Sequence, residues 1–314
     1  MKKLLCYCSI FMFNLSLINT AWALDIVILN KPSSNNDARY NYTHDLLTLV
    51  MEQTAEQYGA ADIHNAPIAM TRNRTLAELK SGKLINVMPQ VSSKEWDQQL
   101  LAVNIPIRKG IQGFRVFIIR SSDSNLLPSI SNLQQLKSIP TGAMHSWSAY
   151  QIMKYNGFKM VNGANYDGLF HMLIKQRFDT FSRGINEVYQ EIDSREQQYP
   201  QLMIDESTLV YMPLPTVFYV SPNAPKLAER IEKGLMSIME NGIFDDFFYQ
   251  HFCPILIKSK LSQRQLFELE NPMLNADFLQ QAKANHWLLD PSQPIKQRCQ
   301  NYVQPTLPNR LHNH

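Results

Sequence analysis

Between Leu24 and Met88 the hydrophobic pattern switches back and forth between two periods, and this alternation constrains the fold more than any other feature. Residues 24–29 are a short apolar run rich in isoleucine and leucine, closed by Lys31-Pro32-Ser33-Ser34-Asn35-Asn36, and read as a buried strand. From Thr43, a candidate N-cap with Asp45 in the first turn, Leu46, Leu47, Val50, Met51 and Thr54 recur at helical spacing until Gly59. Residues 61–69 are extended, 75–81 form a short helix stopped by Gly82, and 84–88 are a third strand. Strand, helix, strand, helix, strand is the pattern of a parallel sheet covered by helices, because a parallel return needs a crossover and a helix supplies it.

A second set follows. Residues 114–119 are a strong strand, and then come helix 133–137, strand 138–142, helix 146–156, strand 158–161, helix 167–176, strand 178–181, helix 186–196 and strand 216–220. Two amphipathic helices are expected over 226–241 and 244–252. Beyond about Asn271 the chain is Pro-rich and weakly patterned, and reads as an extension that wraps the body without folding independently. A length of 314 residues suits one large domain or two packed lobes.

The N-terminus has the layout of an export signal. Lys2 and Lys3 precede a mostly apolar stretch over 4–18, and Ala21-Trp22-Ala23 places small residues where a signal peptidase reads them. Cleavage after Ala23 is expected, giving a periplasmic protein that begins at Leu24. An uncleaved anchor helix is the alternative, and Asn14 and Asn19 weigh against it. Losing residues 1–23 removes two lysines and no acid, which leaves 28 basic and 27 acidic residues. That balance excludes a protein that holds nucleic acid by electrostatics. Cys6 and Cys8 leave with the signal, so Cys253 and Cys299 remain, either paired in an oxidising compartment or as two separate thiols. No Cys-x-x-Cys or clustered histidine suggests a metal site, and His312 and His314 read as tail residues. No cofactor is expected.

Several segments, in their order, resemble the extracellular solute-binding proteins of the amino-acid-binding type, the receptors that feed ABC importers. Residues 76–87 resemble that family's helix, glycine, strand entry to the site. Val103-Asn104-Ile105-Pro106-Ile107 is similar to its approach to the first crossing, and Ser131-Asn132-Leu133-Gln134-Gln135-Leu136 to the opening of its second lobe. Asn165-Tyr166-Asp167-Gly168-Leu169, followed by Arg177-Phe178-Asp179, and the helices over 228–247 with Asn241-Gly242, complete the likeness, which covers roughly residues 24–252. The resemblance implies an α/β, two-lobe periplasmic-binding-protein-like fold (type II), each lobe a mostly parallel sheet flanked by helices. Lobe 1 would be 24–110 with 217–270, lobe 2 would be 111–216, and 271–314 the extension. The chain would cross near 107–111 and 212–216, where Gly110, Gly113, Pro213 and Pro215 stand. A monomer would close by hinge motion on a small-molecule ligand and deliver it to an inner-membrane permease. A sensor reporting to a membrane signalling partner is the alternative, and an enzyme on the same fold a weaker one.

Ligand-binding candidates follow from that placement. Tyr40 and Tyr42 precede the first helix as cleft-edge aromatics. Arg72 and Arg74 could present donor forks to a carboxylate, or be surface arginines. Ser92 and Trp96 follow the third strand, and Trp96 either stacks on ligand or caps the lobe core. Ser146 is a candidate N-cap, with Trp147 beside it as a cleft wall. The family's amino-acid binders place a Thr and an Arg near 92–96 and an Asp near 182–184. This chain has Ser92-Ser93-Lys94-Glu95-Trp96 and Ser182-Arg183-Gly184. Arg183 is therefore expected to face the cleft and bind a carboxylate, phosphate or carbonyl, with Glu187 orienting it or receiving a ligand amine, unless the two form a structural pair. Standard α-amino acids are expected to be poor ligands. No catalytic residue is assigned, since Gly-x-Ser-x-Gly, phosphate-loop and His-Glu-x-x-His patterns are missing from the sequence.

Overall fold

A computed structural model describes residues 24–31, 38–70 and 72–302; the side chains of 38–40, 72 and 73 lie outside that description, as do residues 1–23, where an export signal is expected, and those from 303 on. In chain order the first elements are β1 (Asp25–Leu29), α1 (Ala38–Gln53), α2 (Ala55–Tyr58), β2 (Ala61–Asn65), α3 (Arg72–Ser81), β3 (Val87–Val91), α4 (Lys94–Asp97) and β4 (Leu101–Val103). The chain then crosses into β5 (Phe114–Arg120), α5 (Leu133–Ser138), β6 (Thr141–Ala143), α6 (Ser148–Tyr155), β7 (Met160–Asn162), α7 (Tyr166–Ile174), β8 (Thr180–Gly184), α8 (Ile185–Asp193), β9 (Leu202–Ile204) and β10 (Thr208–Tyr211). It returns through β11 (Thr216–Val220), α9 (Pro225–Glu240) and α10 (Ile243–Ser259), and ends in β12 (Gln265–Glu268), α11 (Ala276–Ala284) and α12 (Ile295–Cys299).

The strands form two bodies. In the first, β1 pairs with β2 in parallel, and β11 lies between β3 and β4, antiparallel to both. Asn86 joins these pieces: its side-chain amide accepts from Ile28 N at 2.7 Å and donates to Ile26 O at 2.7 Å, and its backbone N donates to Ile28 O at 3.0 Å. The second body is a sheet ordered β12-β10-β5-β8-β6-β7, with β9 on the far end of β5. The expected two-lobe α/β arrangement is present, but the sheets are mixed. The strands just after a crossing, β5 and β11, run antiparallel to the strands on either side of them. A chain arriving from the other lobe enters its sheet from the opposite end, which reverses its direction. A second difference concerns 265–268, expected in lobe 1: β12 pairs in parallel with β10 and extends the lobe 2 sheet.

Strand β5 is buried on both faces along its whole length. Phe114, Val116 and Ile118 join the larger apolar cluster, while Phe117 and Ile119 join a second one with Leu136, Ile152 and Val210. That is the two-residue period of a strand feeding two layers. Arg115 lies on the second of these faces, next to the crossing.

The two expected crossings run side by side. Ile107 N donates to Thr216 O at 2.8 Å and Met212 N to Gly113 O at 3.0 Å. The extension packs onto the body: Phe278, Ala282, Trp287 and Ile295 are buried in the same cluster as α10. Cys253 of α10 and Cys299 of α12 form a disulfide, with Cα atoms 5.5 Å apart. Among the described residues no helix is long and apolar enough to cross a membrane.

Candidate functional site

Beside the paired crossings, both bodies contribute walls to one cavity of about 560 Å³. Gln90 and Val91 come from β3, Gln112 and Leu214 from the crossings, and Arg115, Ser146, Trp147, Tyr166, Arg183, Glu187 and Glu191 from the second body. Each arrives for a local reason. Arg115 and Arg183 sit on neighbouring antiparallel strands, where Val116 faces Arg183 and Arg115 faces Gly184, so they leave opposite faces of the sheet and meet at Glu187, which both guanidinium groups reach. Glu187 and Glu191 stand one turn apart on α8, so both carboxylates share the face that looks back at β8. Glu187 also accepts from Gly184 N at 3.0 Å, closing the start of α8.

These four side chains form one charge-balanced cluster. The Arg183 guanidinium donates to Glu191 through Nε at 2.7 Å and through Nη2, and Nη2 lies 3.1 Å from Glu187 Oε2. Its plane sits over the Trp147 ring, 4.6 Å from the centroid, with Tyr166 at 5.4 Å. Arg115 donates to Ser182 O at 2.9 Å and reaches Glu187 Oε1 at 3.4 Å. Burial lowers the Arg115 pKa to about 10, against the pull of Glu187. Burial would lower Arg183 too, but the carboxylates of Glu187 and Glu191 outweigh it and the net shift is upward. Burial, with Glu191 beside it, raises the Tyr166 phenol, so it stays protonated and can donate.

The expectation for Arg183 is thus revised. It lines the cavity with Glu187 and Trp147, but its charge is held by two carboxylates, and Glu191 rather than Glu187 makes the two-pronged contact. Ser146 lines the cavity but is not the N-cap; α6 begins at Ser148, and Trp147 occupies the cap position with extended backbone and no side-chain cap bond. Ser92 is buried and lines a second, adjoining hollow together with Ser146. Trp96 is fully buried against Tyr219, ring centroids 5.3 Å apart, and belongs to the lobe core. Arg74 is exposed on α3, and the side chains of Tyr40 and Arg72 lie outside the described residues. Tyr42 is buried under Phe247 and Phe252, and its hydroxyl donates to Ile107 O at 2.8 Å, which ties α1 to the first crossing. Among the described residues no group of three or more potential metal ligands gathers.

Sequence reading missed Arg115, Glu191, Gln90, Gln112 and Tyr166. Arg115 carried a signal, since a charge inside the apolar run Phe114-Arg115-Val116-Phe117 needs a buried partner. Glu191 carried one as well, at helical spacing from Glu187. The two glutamines come together only through the pairing of crossings, which no local pattern announces.

No family model matches the sequence, and no curated protein matches it. Solved structures do match the fold. A binding component of an ABC transporter from Wolinella succinogenes, complexed with lysine, aligns with a TM-score of 0.53 at 13% identity, over 72% of this chain and 94% of that one. An ancestral arginine-binding protein bound to arginine aligns with a TM-score of 0.52 at 18% identity, over 72% and 98%. A periplasmic His/Glu/Gln/Arg/opine family-binding protein from Silicibacter pomeroyi, in complex with lysine, aligns with a TM-score of 0.50 at 11% identity, over 72% and 96%. The chain has the two-lobe fold of periplasmic binding proteins.

Proposed function

We propose that the protein is an exported receptor that captures a small polar solute between its lobes and hands it to an inner-membrane importer. One observation carries the reading: the Arg115, Arg183, Glu187 and Glu191 cluster, roofed by Trp147, lies where side chains of both bodies converge on a cavity large enough for a small ligand. The cluster is net neutral, so it does not demand a ligand of one sign. With Arg183 already neutralised, the cleft has no cation there to hold an α-carboxylate, and free standard α-amino acids bind weakly in this reading. Ser146, Trp147, Gln90 and Gln112 are the assigned contact residues, and Arg183 with Glu187 and Glu191 forms the rigid wall behind them. The protein acts as a monomer without a cofactor.

The test is a thermal-shift screen of the mature chain against amino acids, peptides, polyamines, sugars and organic acids. A ligand at 100 times its Kd adds about 2.7 kcal/mol, a midpoint rise of about 5–10 °C for a protein this size. A flat response across such a library would overturn the receptor reading, and turnover of any member would put an enzyme in its place. Tight binding of an ordinary amino acid would overturn the neutral-cluster argument alone. Export is tested separately: native protein from the periplasm should begin at Leu24 by mass spectrometry, and retention of residues 1–23 would make it an anchored protein.

A further inference from the structure

The cavity of the charged cluster has a neighbour. A second hollow of about 860 Å³ shares Val91, Met144, Ser146 and Ser148 with it, so the two are one continuous cleft. Their linings differ in chemistry. The first is walled by guanidinium, carboxylate and amide groups; in the second Met273 joins the shared Val91 and Met144, and most of the surface it presents is carbon, although the polar residues 92–95, His145, Gln151 and Asn271 stand around it. Met273 and Asn271 come from neither lobe's expected share of the chain but from the extension.

That part of the extension is built into the cleft wall. Asn156 of lobe 2 donates to Glu270 O at 2.8 Å, and Glu270 N donates back to the Asn156 amide oxygen at 3.3 Å. Asn271 donates to Pro213 O of the second crossing at 2.8 Å. Lys94 N of lobe 1 donates to Met273 O at 2.9 Å. Three successive anchors therefore hold residues 270–273 against both lobes and fix Met273 where it closes the second hollow. Each hollow lies in the range of about 300–1,000 Å³ that encloses a drug-sized molecule, so a single small amino acid does not fill the pair.

We propose that the second hollow is a subsite for an apolar group on an elongated, amphipathic solute whose polar part lies against the Arg115–Glu191 cluster. The inference rests on the receptor reading and extends it to ligand class. Two methionines in the lining, Met144 and Met273, favour apolar volume over one fixed shape, because the thioether chain adapts its rotamers to what it meets. Linear and branched groups are both accommodated. The shared chemistry is an amide-bearing polar head joined to an aliphatic group, whether in a short peptide or in an acylated amino acid.

The experiment measures calorimetric affinity of the mature chain for two series: Gly-Gly-Gly, Gly-Gly-Ala, Gly-Gly-Val and Gly-Gly-Leu, and N-acetyl-, N-butanoyl- and N-hexanoyl-glycine. The expected result is that at least one series binds and tightens by about two- to fourfold per added methylene. Which series does so identifies the source of the apolar group. Met273→Ser should flatten that dependence, and Met144→Ser should do so independently, each checked for an intact unfolding transition. Binding that is indifferent to chain length overturns the subsite. So does a length dependence that survives in both variants. If a small polar solute binds while every longer probe is excluded, the subsite falls and the receptor reading stands. If neither these probes nor any solute of the broad screen binds, the receptor reading falls and takes the subsite with it.

Discussion

Gly113 stands where the two crossings touch. A Cβ there would sit 2.2 Å from Met212 O, a backbone atom that cannot swing aside. Gly113→Ala should therefore push the crossings apart and cost about 1–3 kcal/mol, read from urea unfolding at an unchanged m-value. An Arg183 variant tests a different idea, that the buried charge is structural. Arg183 is 5% exposed and its guanidinium contacts two carboxylates. Arg183→Met leaves those carboxylates facing Arg115 alone and should cost about 3–5 kcal/mol. The double variant Arg183→Met, Glu191→Leu should recover part of that loss, because it removes the orphaned charge as well. A neutral single variant would mean that the cluster is not an internal ion pair. Arg230 offers the same logic far from the cleft. It is fully buried and donates to Asp25 at 2.7 Å, Thr54 at 2.9 Å and the carbonyls of Met51 and Gly59, fastening α9 to β1 and the end of α1. Arg230→Ala should lower the unfolding free energy by a comparable amount and leave ligand affinity unchanged.

Among the elements, those with a strong local period were legible and those made by pairing were not. The helix over 226–241 appears as α9, because amphipathic spacing and the Pro225 start are written in the residues themselves; that over 244–252 lies inside α10, which runs on through Pro254 to Ser259. The third strand was expected over 84–88 and occupies Val87–Val91: the apolar run ends at Met88, but partner β11 continues the ladder through Pro89 and Gln90. Strands β9, β10 and β12 escaped notice. Each is three or four residues long and defined by its neighbour rather than its own pattern. The site was half legible for the same reason. Trp147 stands at a turn into a helix, which marks it, and Arg183 with Glu187 stood out because Ser182-Arg183-Gly184 departs from the resembled family's Asp; Gln112 and Met273 owe their places to distant backbone. The described part of the extension packs onto the body, and its fastening by Cys253–Cys299 gives a direct test. The bridge spans a sequence separation of 46. Chain-entropy reasoning puts its contribution at about 4 kcal/mol, an upper figure where the reduced chain keeps structure. Cys253→Ser should lower the melting midpoint by several degrees and make it insensitive to reductant, while reduced wild type should fall to the same midpoint.

At the scale of the molecule, the lobes are joined by more than two crossings. The chain passes a third time into β12 and comes back through residues 269–275, and the anchors at Asn156, Pro213 and Lys94 tie this return to both sides of the cleft. Separating the lobes would break those bonds together. Spin labels on the exposed Lys154 of α6 and Lys233 of α9 should report one narrow distance distribution in wild type. Asn156→Ala combined with Asn271→Gly should broaden it, and an equally narrow distribution in that variant would show that the return segment does not restrain the lobes. The strap has a kinetic counterpart. In a freely hinged receptor, encounter is followed by a slower closing step, and the observed rate levels off as ligand concentration rises. With the return segment bonded to both lobes, stopped-flow traces are expected to show a single phase whose rate climbs linearly with ligand, so that selectivity would be exerted in how long a solute stays rather than in how quickly it is admitted; a rate that levels off would show that a closing step remains.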